Sequence, residues 1–170
     1  MKSPLAIVAL GSNLGDSAKT ILEAMVCLQN FSDEPILKSS LWQTSPVNCP
    51  PGSPKFVNAV AGLYIRKGDT PEMLLEMLRV LEIAFGRQPK KIQNEPRPLD
   101  LDLIAFGNET RNTPDLVLPH PRAHLRKFVL EPLNEITPDF ILAGQGRTVS
   151  QLLAELSSGK AVVKIDSLKP

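Results

Sequence analysis

Two aspartates stand two residues apart in the otherwise apolar end of the stretch EPRPLDLDLIAFG, residues 95–107. Side chains alternate between the two faces of a β-strand, so Asp100 and Asp102 would point the same way, with Cα atoms about 6.6 Å apart. The leucines at 99, 101 and 103 would then point to the opposite face and fill a core. Two carboxylates this close raise each other's pKa, and burial raises it further. The pair therefore needs a positively charged partner.

A divalent cation would supply that partner, because it stabilises both ionised carboxylates at once. Magnesium commonly binds through one or two carboxylates, together with waters and substrate phosphates. Basic residues that could bind phosphate occur on both sides of the pair: Arg87, Lys90, Lys91, Arg97, Arg122, Arg126 and Lys127. The alternative is a solvent-exposed sheet face whose aspartates pair with arginines, and the tripeptide alone favours that alternative. The segment GSNLGDSAK does not match a Walker A motif, so a bound nucleotide would be held without a P-loop.

The size and composition of the chain are those of an ordinary globular domain. Its 170 residues are 42% hydrophobic and 22% charged, and we expect one domain over residues 1–170, with a core at about 4–156 and a C-terminal tail at 159–170. The net charge of +1 argues against a strongly basic nucleic-acid-binding surface. Cys27 and Cys49 are too few for a disulfide framework or a zinc site, and no apolar run approaches bilayer length. These features predict a cytoplasmic protein with free thiols.

The hydrophobic pattern predicts six elements in the order β-α-β-β-α-β. The strands are expected at Leu5–Leu10, Ile36–Thr44, 55–65 and the segment with the two aspartates. Asp16 and Asp69 are the expected N-caps of the two helices. This order is typical of an α+β, ferredoxin-like antiparallel sheet with both helices on one face. Further helices near residues 125–136, with an interruption or kink at Pro132, and near 148–158 could cover the other face, giving an α/β/α sandwich.

Four segments together resemble a known enzyme family. EPRPLDLDLIAFG, ALGSNLGD near the N-terminus, FVNAV in the middle and LPHPR downstream are similar to 6-hydroxymethyl-7,8-dihydropterin pyrophosphokinases of folate biosynthesis, in order from about Ile7 to about Leu156. The resemblance implies transfer of pyrophosphate from ATP to 6-hydroxymethyl-7,8-dihydropterin, giving AMP and the pterin diphosphate. It also implies two Mg²⁺ ions as cofactors and ATP as co-substrate.

The resemblance assigns expected roles to individual residues. Asp100 and Asp102 would bind the metal ions and, with Arg97, form the catalytic set. ATP would contact Glu82, Arg87, Arg97, Leu103, His120 and Arg126. The pterin would contact Thr44, Ser45, Val47, Phe56, Asn58, Asp100 and Phe128, with the two phenylalanines stacking on its ring and the asparagine reading its edge. Strand alternation independently places Phe56 and Asn58 on one face, although phenylalanines are more often core residues.

The implied partners are ATP and the pterin, with no nucleic acid and no membrane, and the chain would act as a monomer or a weak homodimer. Two other functions are compatible with parts of the sequence. A ferredoxin-like RNA-recognition module should carry an aromatic and basic strand signature, which KFVNAVAGLYI lacks. A catalytically weakened relative, kept as a partner of the next folate enzyme, is disfavoured by the intact aspartate pair and Arg97.

The sequence departs from the family pattern around the expected lid loop RQPKKIQNEP. Gln93 and Asn94 stand where an arginine and a tryptophan are familiar, Pro89 and Asp115 replace arginines, and Phe56 replaces a tyrosine. Lys90 and Lys91 could restore part of the lost charge. A polar loop without an apolar anchor should still move but should seal the substrates less completely.

Replacing Asn94 by Trp tests this idea. We expect the Asn94→Trp variant to have a lower KM for ATP, because the aromatic side chain restores an apolar anchor for closure. Steady-state kinetics at saturating pterin measure the effect. An unchanged KM for ATP would contradict the idea that the altered loop, with Lys90 and Lys91 supplying only part of the lost charge, seals the substrates less completely.

Overall fold

The computed structural model describes residues 4–44, 55–86, 98–156 and 162–165. The strands in these ranges are β1 (Leu5–Ser12), β2 (Leu37–Lys38), β3 (Trp42–Thr44), β4 (Phe56–Tyr64), β5 (Asp100–Phe106), β6 (Arg111–Asn112), β7 (Val117–Leu118) and β8 (Val163–Lys164). The α-helices are α1 (Ser17–Leu28), α2 (Pro71–Ala84), α3 (Lys127–Ile136) and α4 (Val149–Glu155).

The main sheet is antiparallel and has the strand order β5-β1-β4-β3-β8, with β2 also paired to β4. Strands β6 and β7 form a separate two-stranded hairpin. If β2 and β3 are taken as one interrupted strand, the first four strands along the chain follow the ferredoxin-like order. The predicted α+β fold class and the β-α-β-β-α-β order are therefore confirmed.

Helices cover both faces of the sheet. Helices α1 and α2 pack on one face and form the α1/α2 core, which includes Leu10, Ala59, Leu101 and Leu103. Helices α3 and α4 pack on the other face and form the α3/α4 core, which includes Ile7, Val60 and Ile104. Successive residues of a strand thus enter different cores, as side-chain alternation requires, except at the register shift of β5, where Ile104 and Ala105 both enter the α3/α4 core. The expected α/β/α sandwich is confirmed.

The two predicted helix starts have different outcomes. The Asp16 side chain accepts a hydrogen bond from the Lys19 amide, so this N-cap is confirmed. The prediction that Asp69 caps α2 is wrong: the cap is Thr70, whose Oγ1 accepts from the Met73 amide at 3.2 Å. Pro71 occupies the first helical position, where its fixed φ and missing N–H are favourable. Asp69 instead binds Arg66 in an ion pair.

The predicted strand at Ile36–Thr44 is divided by a local irregularity at Ser39–Leu41. Lys38 pairs with Ala61 and Trp42 pairs with Asn58. The chain from β2 to β3 therefore advances four residues while β4 advances three, so it contains one extra residue. The Ser39 hydroxyl accepts from the Val60 amide at 2.9 Å and replaces a main-chain acceptor there. The extra residue therefore leaves that amide paired while it resets the register of β3.

Two features of the C-terminal part differ from expectation. Helix α3 runs from Lys127 to Ile136 with Pro132 inside it, so it lacks the interruption expected there, whereas the alternative of a kink stays a prediction. Val163–Lys164, inside the stretch expected to be a tail, form β8 beside β3.

Cys27 is a free, partly buried thiol, and Cys49 lies outside the described residues. Among the helices in the described ranges, none combines the length and apolarity needed to span a bilayer.

Candidate active site

The centre of the candidate site is a row of residues that crosses four strands. Asp100 on β5 lies opposite Gly11 on β1, Gly11 lies opposite Asn58 on β4, and Asn58 lies opposite Trp42 on β3. Directly opposed residues of antiparallel strands share a face, so all four are directed to the same side of the sheet. That side carries the α3/α4 core. Asp102, two residues beyond Asp100, shares this face.

The strand that carries the aspartate pair has the alternation of side chains that the sequence predicted. Asp100 and Asp102 are half-buried, whereas Leu99, Leu101 and Leu103 are buried in the α1/α2 core on the opposite face. Strand β5 therefore presents carboxylates on one side and anchors itself by leucines on the other.

Gly11 belongs to the candidate site, although the sequence analysis gave it no role. A Cβ atom at this position would lie 3.4 Å from Asn58 Oδ1 and 3.8 Å from Phe56 Cδ1. A methyl group there would make ordinary van der Waals contact with both side chains, so the sheet surface between Asp100 and Asn58 carries no side chain on β1. A glycine inside an apolar strand is the sequence signal that could have drawn attention to this position.

Asn58 and Thr44 form a buried polar pair next to this space. Asn58 is 6% exposed, and its Nδ2 donates to Thr44 Oγ1 at 2.9 Å. The bond fixes the asparagine amide and leaves its second N–H able to meet a ligand. Phe56, opposite Thr44 on the neighbouring strand, is half-buried. Three of the predicted pterin contacts are therefore neighbours on one sheet surface.

Phe128 and Arg126 meet at the start of α3. Phe128 packs against the α3/α4 core, and the Arg126 guanidinium carbon lies 5.4 Å from the centre of its ring. This is a cation–π contact, which holds the arginine over one face of the ring. Phe128 thus belongs to the helical layer that covers the sheet face with Asp100 and Asn58.

His120 is tied to the strand that carries the aspartates. Its main-chain amide donates to the Ile104 carbonyl at 2.8 Å, and its Nδ1 accepts from the Arg122 amide at 3.2 Å. Burial lowers the pKa of His120 below its usual 6.5, the charges of Arg126 and Arg122 lower it further, and Asp100 opposes them. The imidazole is therefore neutral at pH 7.

Glu82 has a contact that the sequence did not predict. Its Oε2 accepts a 2.7 Å hydrogen bond from the Leu101 amide, which lies between the two aspartates. Since β5 is an outer strand of the sheet, α2 supplies the acceptor that a further strand would otherwise provide.

The Leu103 side chain is 5% exposed in the α1/α2 core, so an ATP contact by this residue would use its main chain.

Four predicted site residues, Ser45, Val47, Arg87 and Arg97, lie outside the described residues, as do Pro89, Lys90, Lys91, Gln93 and Asn94 of the expected lid. Within the described ranges, no group of three or more His, Cys, Asp or Glu side chains could hold a metal ion. The donors on β5 are two carboxylates. They fit a cation that takes its other ligands from water and phosphate, as magnesium does.

A family model, 7,8-dihydro-6-hydroxymethylpterin-pyrophosphokinase (HPPK), matches residues 7–138. The chain belongs to this family. A 2-amino-4-hydroxy-6-hydroxymethyldihydropteridine pyrophosphokinase from Pseudomonas aeruginosa is 36% identical over 148 residues, which cover 86% of this chain and 88% of the relative. One from Synechocystis sp. is 35% identical over 154 residues, covering 89% of this chain and 75% of the relative. The named family is the one that the sequence motifs resemble.

Solved structures share the fold. Wild-type Plasmodium falciparum HPPK-DHPS with SDX-DHP superposes with a TM-score of 0.68 at 14% identity, over 91% of this chain. The chain spans 44% of the length of that longer chain. Because the two sequences are only 14% identical, this similarity shows that the two proteins share a fold and nothing more.

The Glu82 contact leads to a stability prediction. Glu82→Ala removes a charged acceptor from the Leu101 amide and should lower the free energy of unfolding by about 1.5–3 kcal/mol. Urea denaturation measures the change. Glu82→Gln keeps an acceptor oxygen and should recover part of it, and Glu76→Ala, an exposed change on the same helix, is the control. Equal stability of Glu82→Ala and the control would contradict the prediction.

The charges around His120 lead to a titration prediction. The NMR titration midpoint of the His120 ring should lie below 6.5, and Arg126→Gln should raise it, because a repelling cation is removed. A group with a lowered pKa contributes its stability fully above the unfolded value and loses it as the pH falls towards the folded value. Lys19→Gln, an exposed change on α1, should leave the midpoint unchanged. No response to Arg126→Gln would refute the coupling.

Proposed function

We propose that the chain catalyses magnesium-dependent transfer of pyrophosphate from ATP to 6-hydroxymethyl-7,8-dihydropterin. The products are AMP and the pterin diphosphate, and the reaction is a step in folate biosynthesis. The observation that carries the proposal is the row from Asp100 through Gly11 to Asn58, in a member of the pyrophosphokinase family.

The pterin half of the proposal rests on β4, β3 and α3. A flat ring would lie over the sheet beside Gly11, which adds no side chain there, with Phe56 on the strand and Phe128 on the helix as stacking partners. Asn58 would read the polar edge of the ring, because its amide is already oriented by Thr44. Ser45 and Val47 would complete the rim.

The ATP half rests on β5 and the segment that follows it. Asp100 and Asp102 would hold two Mg²⁺ ions together with the phosphates of ATP. Arg126, Arg87 and Arg97 would add positive charge, and guanidinium groups bind phosphate oxygens in a bidentate manner. His120, neutral at pH 7, would act as a hydrogen-bonding group, and Glu82 and the Leu103 main chain would lie at the nucleotide.

The reaction exchanges one bond to the β-phosphorus for another. The pterin hydroxymethyl oxygen forms a bond to the β-phosphorus, and the bond to the oxygen bridging the α- and β-phosphorus atoms breaks. That oxygen leaves with AMP, and the hydroxyl proton is released. Bound magnesium would offset the charge that develops on the phosphates. The residues of the chain would align the pterin oxygen with the β-phosphorus, since positioning accounts for much of phosphoryl-transfer catalysis.

Product analysis tests this proposal. Incubation with ATP, Mg²⁺ and the hydroxymethyl dihydropterin should give AMP in equal amount to the pterin diphosphate. Formation of ADP would indicate an ordinary kinase, and the absence of either nucleotide product would favour a binding function.

The aspartate variants test the assigned residues. Asp100→Ala and Asp102→Ala should each lower kcat by about a thousandfold or more, because several kcal/mol of charge stabilisation depend on the metal ligands. Asp139→Ala, which removes an exposed aspartate in the turn after α3, is the matched control and should retain activity. Circular dichroism checks that all three variants fold. Near-normal turnover in either active-site variant would refute the metal assignment.

A further inference from the structure

Glu135 has an unusually complete set of hydrogen-bond donors for a residue away from the proposed reacting groups. Its Oε1 accepts from the Ser40 amide at 3.0 Å and from Trp42 Nε1 at 2.9 Å. Its Oε2 accepts from the Ser40 hydroxyl at 2.6 Å, and Lys164 Nζ lies 3.4 Å from the same oxygen. One carboxylate therefore joins three elements: α3, β3 with the residues before it, and β8.

The C-terminal strand is fixed at the same place. Trp42 lies opposite Lys164 in the β3–β8 pairing, and the Lys164 ammonium lies 5.6 Å from the centre of the indole ring. The Ile165 amide donates to the Leu41 carbonyl at 2.8 Å. Lys164 thus contacts both the Glu135 carboxylate and the Trp42 ring, which are the two partners of one hydrogen bond. An isolated surface ion pair would involve the carboxylate alone.

The charge on Glu135 is compensated within the fold. Burial by itself raises the pKa of this carboxyl group, but the hydrogen bonds from Ser40 and Trp42 and the charge of Lys164 outweigh it. The pKa of Glu135 is consequently held below its usual value, and the group is ionised at neutral pH.

The contacts of Glu135 with Ser40, Trp42 and Lys164 form what we call the joint. The joint lies next to both walls of the proposed pterin site. Trp42 lies directly opposite Asn58, and Thr44, the partner of Asn58, follows Trp42 by two residues on the same face. Phe128 precedes Glu135 by seven residues, or about two helical turns, so both lie on the same side of α3. A bond that fixes α3 to β3 near Trp42 therefore fixes Phe128 relative to Asn58.

We infer that Glu135, assisted by Lys164, is a positioning residue for pterin binding that sets the distance between Phe128 on α3 and Asn58 on β4. The inference rests on the proposed function, because it assumes that the pterin lies between these groups. Neither Glu135 nor Lys164 needs to contact the substrate. Their effect is on the spacing of the side chains that do.

The position of the joint predicts a selective effect on the two substrates. Among the described residues of the proposed ATP side, Arg126 lies at the N-cap of α3, whereas the aspartates and His120 are held by β5, β1 and Glu82, none of which bonds to Glu135 in the contacts described above. Loss of the joint should therefore widen the pterin site and disturb the ATP side much less, through Arg126 alone among the described ATP-side residues. A purely structural role would change both substrates together or lower only the amount of folded enzyme.

The test uses full-length Glu135→Gln, which keeps the side-chain shape but loses the charge and one hydrogen-bond acceptor. We expect the KM for the pterin to rise about tenfold, since small misplacements of binding groups are costly, and the KM for ATP to change less than about twofold. Lys164→Met should raise the pterin KM by a smaller factor. Lys164→Arg keeps the positive charge and should have a pterin KM close to that of the wild type. Glu72→Gln, which disrupts the Arg111 ion pair near the hairpin, is the matched control and should change neither KM.

Trp42 provides a readout that does not depend on activity. It is the single tryptophan of the chain, so intrinsic fluorescence reports on its environment alone. Glu135→Gln should shift the emission maximum, because the indole N–H loses its charged acceptor. An unchanged spectrum, or a shifted spectrum with an unchanged pterin KM, would overturn the inference.

The remaining outcomes separate this inference from the proposed function. A parallel rise in both KM values would show a general structural role and would overturn the inference while AMP formation by the wild type still supports the function. Wild-type enzyme that forms no AMP would overturn both. Should Glu135→Gln fail to fold, the Lys164→Met and Lys164→Arg pair decides, since an unchanged pterin KM in Lys164→Met would refute the inference.

Discussion

The alternation of side chains along β5, which sets two carboxylates on one face and leucines on the other, is the constraint on which the rest of the candidate site depends. The alternation that brings Asp100 and Asp102 together also directs Leu101 and Leu103 into the α1/α2 core. Burial of those leucines holds the strand in a register that keeps the acidic side chains close. The strand lies at the edge of the sheet, where Glu82 binds the intervening amide. Packing, edge protection and charge are thus combined in three consecutive residues.

Antiparallel pairing extends this arrangement across the sheet. Because opposed residues share a face, the register of β1 with β5 and β4 places Gly11 between Asp100 and Asn58 without any long loop. The polar groups on this surface come from rigid strands, whereas Phe128 and Arg126 come from the first turn of the helix that covers it. The proposed pterin side is therefore supported by β4, β3 and α3, and the proposed phosphate side by β5 together with Arg126 at the N-cap of α3.

The sequence predicts those parts of the fold that depend on local pattern. Alternation in β4 and β5 identified which side chains face each core, and the element order identified the topology. The Asp69 cap was misassigned although Pro71 pointed to Thr70, because both residues can accept the capping bond. The division at Ser39 and the pairing of β8 depend on contacts with residues far away in the chain. The same is true of Glu135, whose partners Ser40 and Trp42 lie more than 90 positions earlier. Its hydrogen bonds and its charge compensation appear only when α3 is docked.

The outer strands of the sheet have a bearing on the colloidal behaviour of the molecule. Exposed strand edges can pair with other chains and start ordered aggregates. At one border, the Leu101 amide is already bound by the Glu82 carboxylate, and a negative charge stands beside the edge. At the other, β8 is only two residues long and carries Lys164. These two features make both borders weaker templates for intermolecular sheet extension than a long, uncharged outer strand would be.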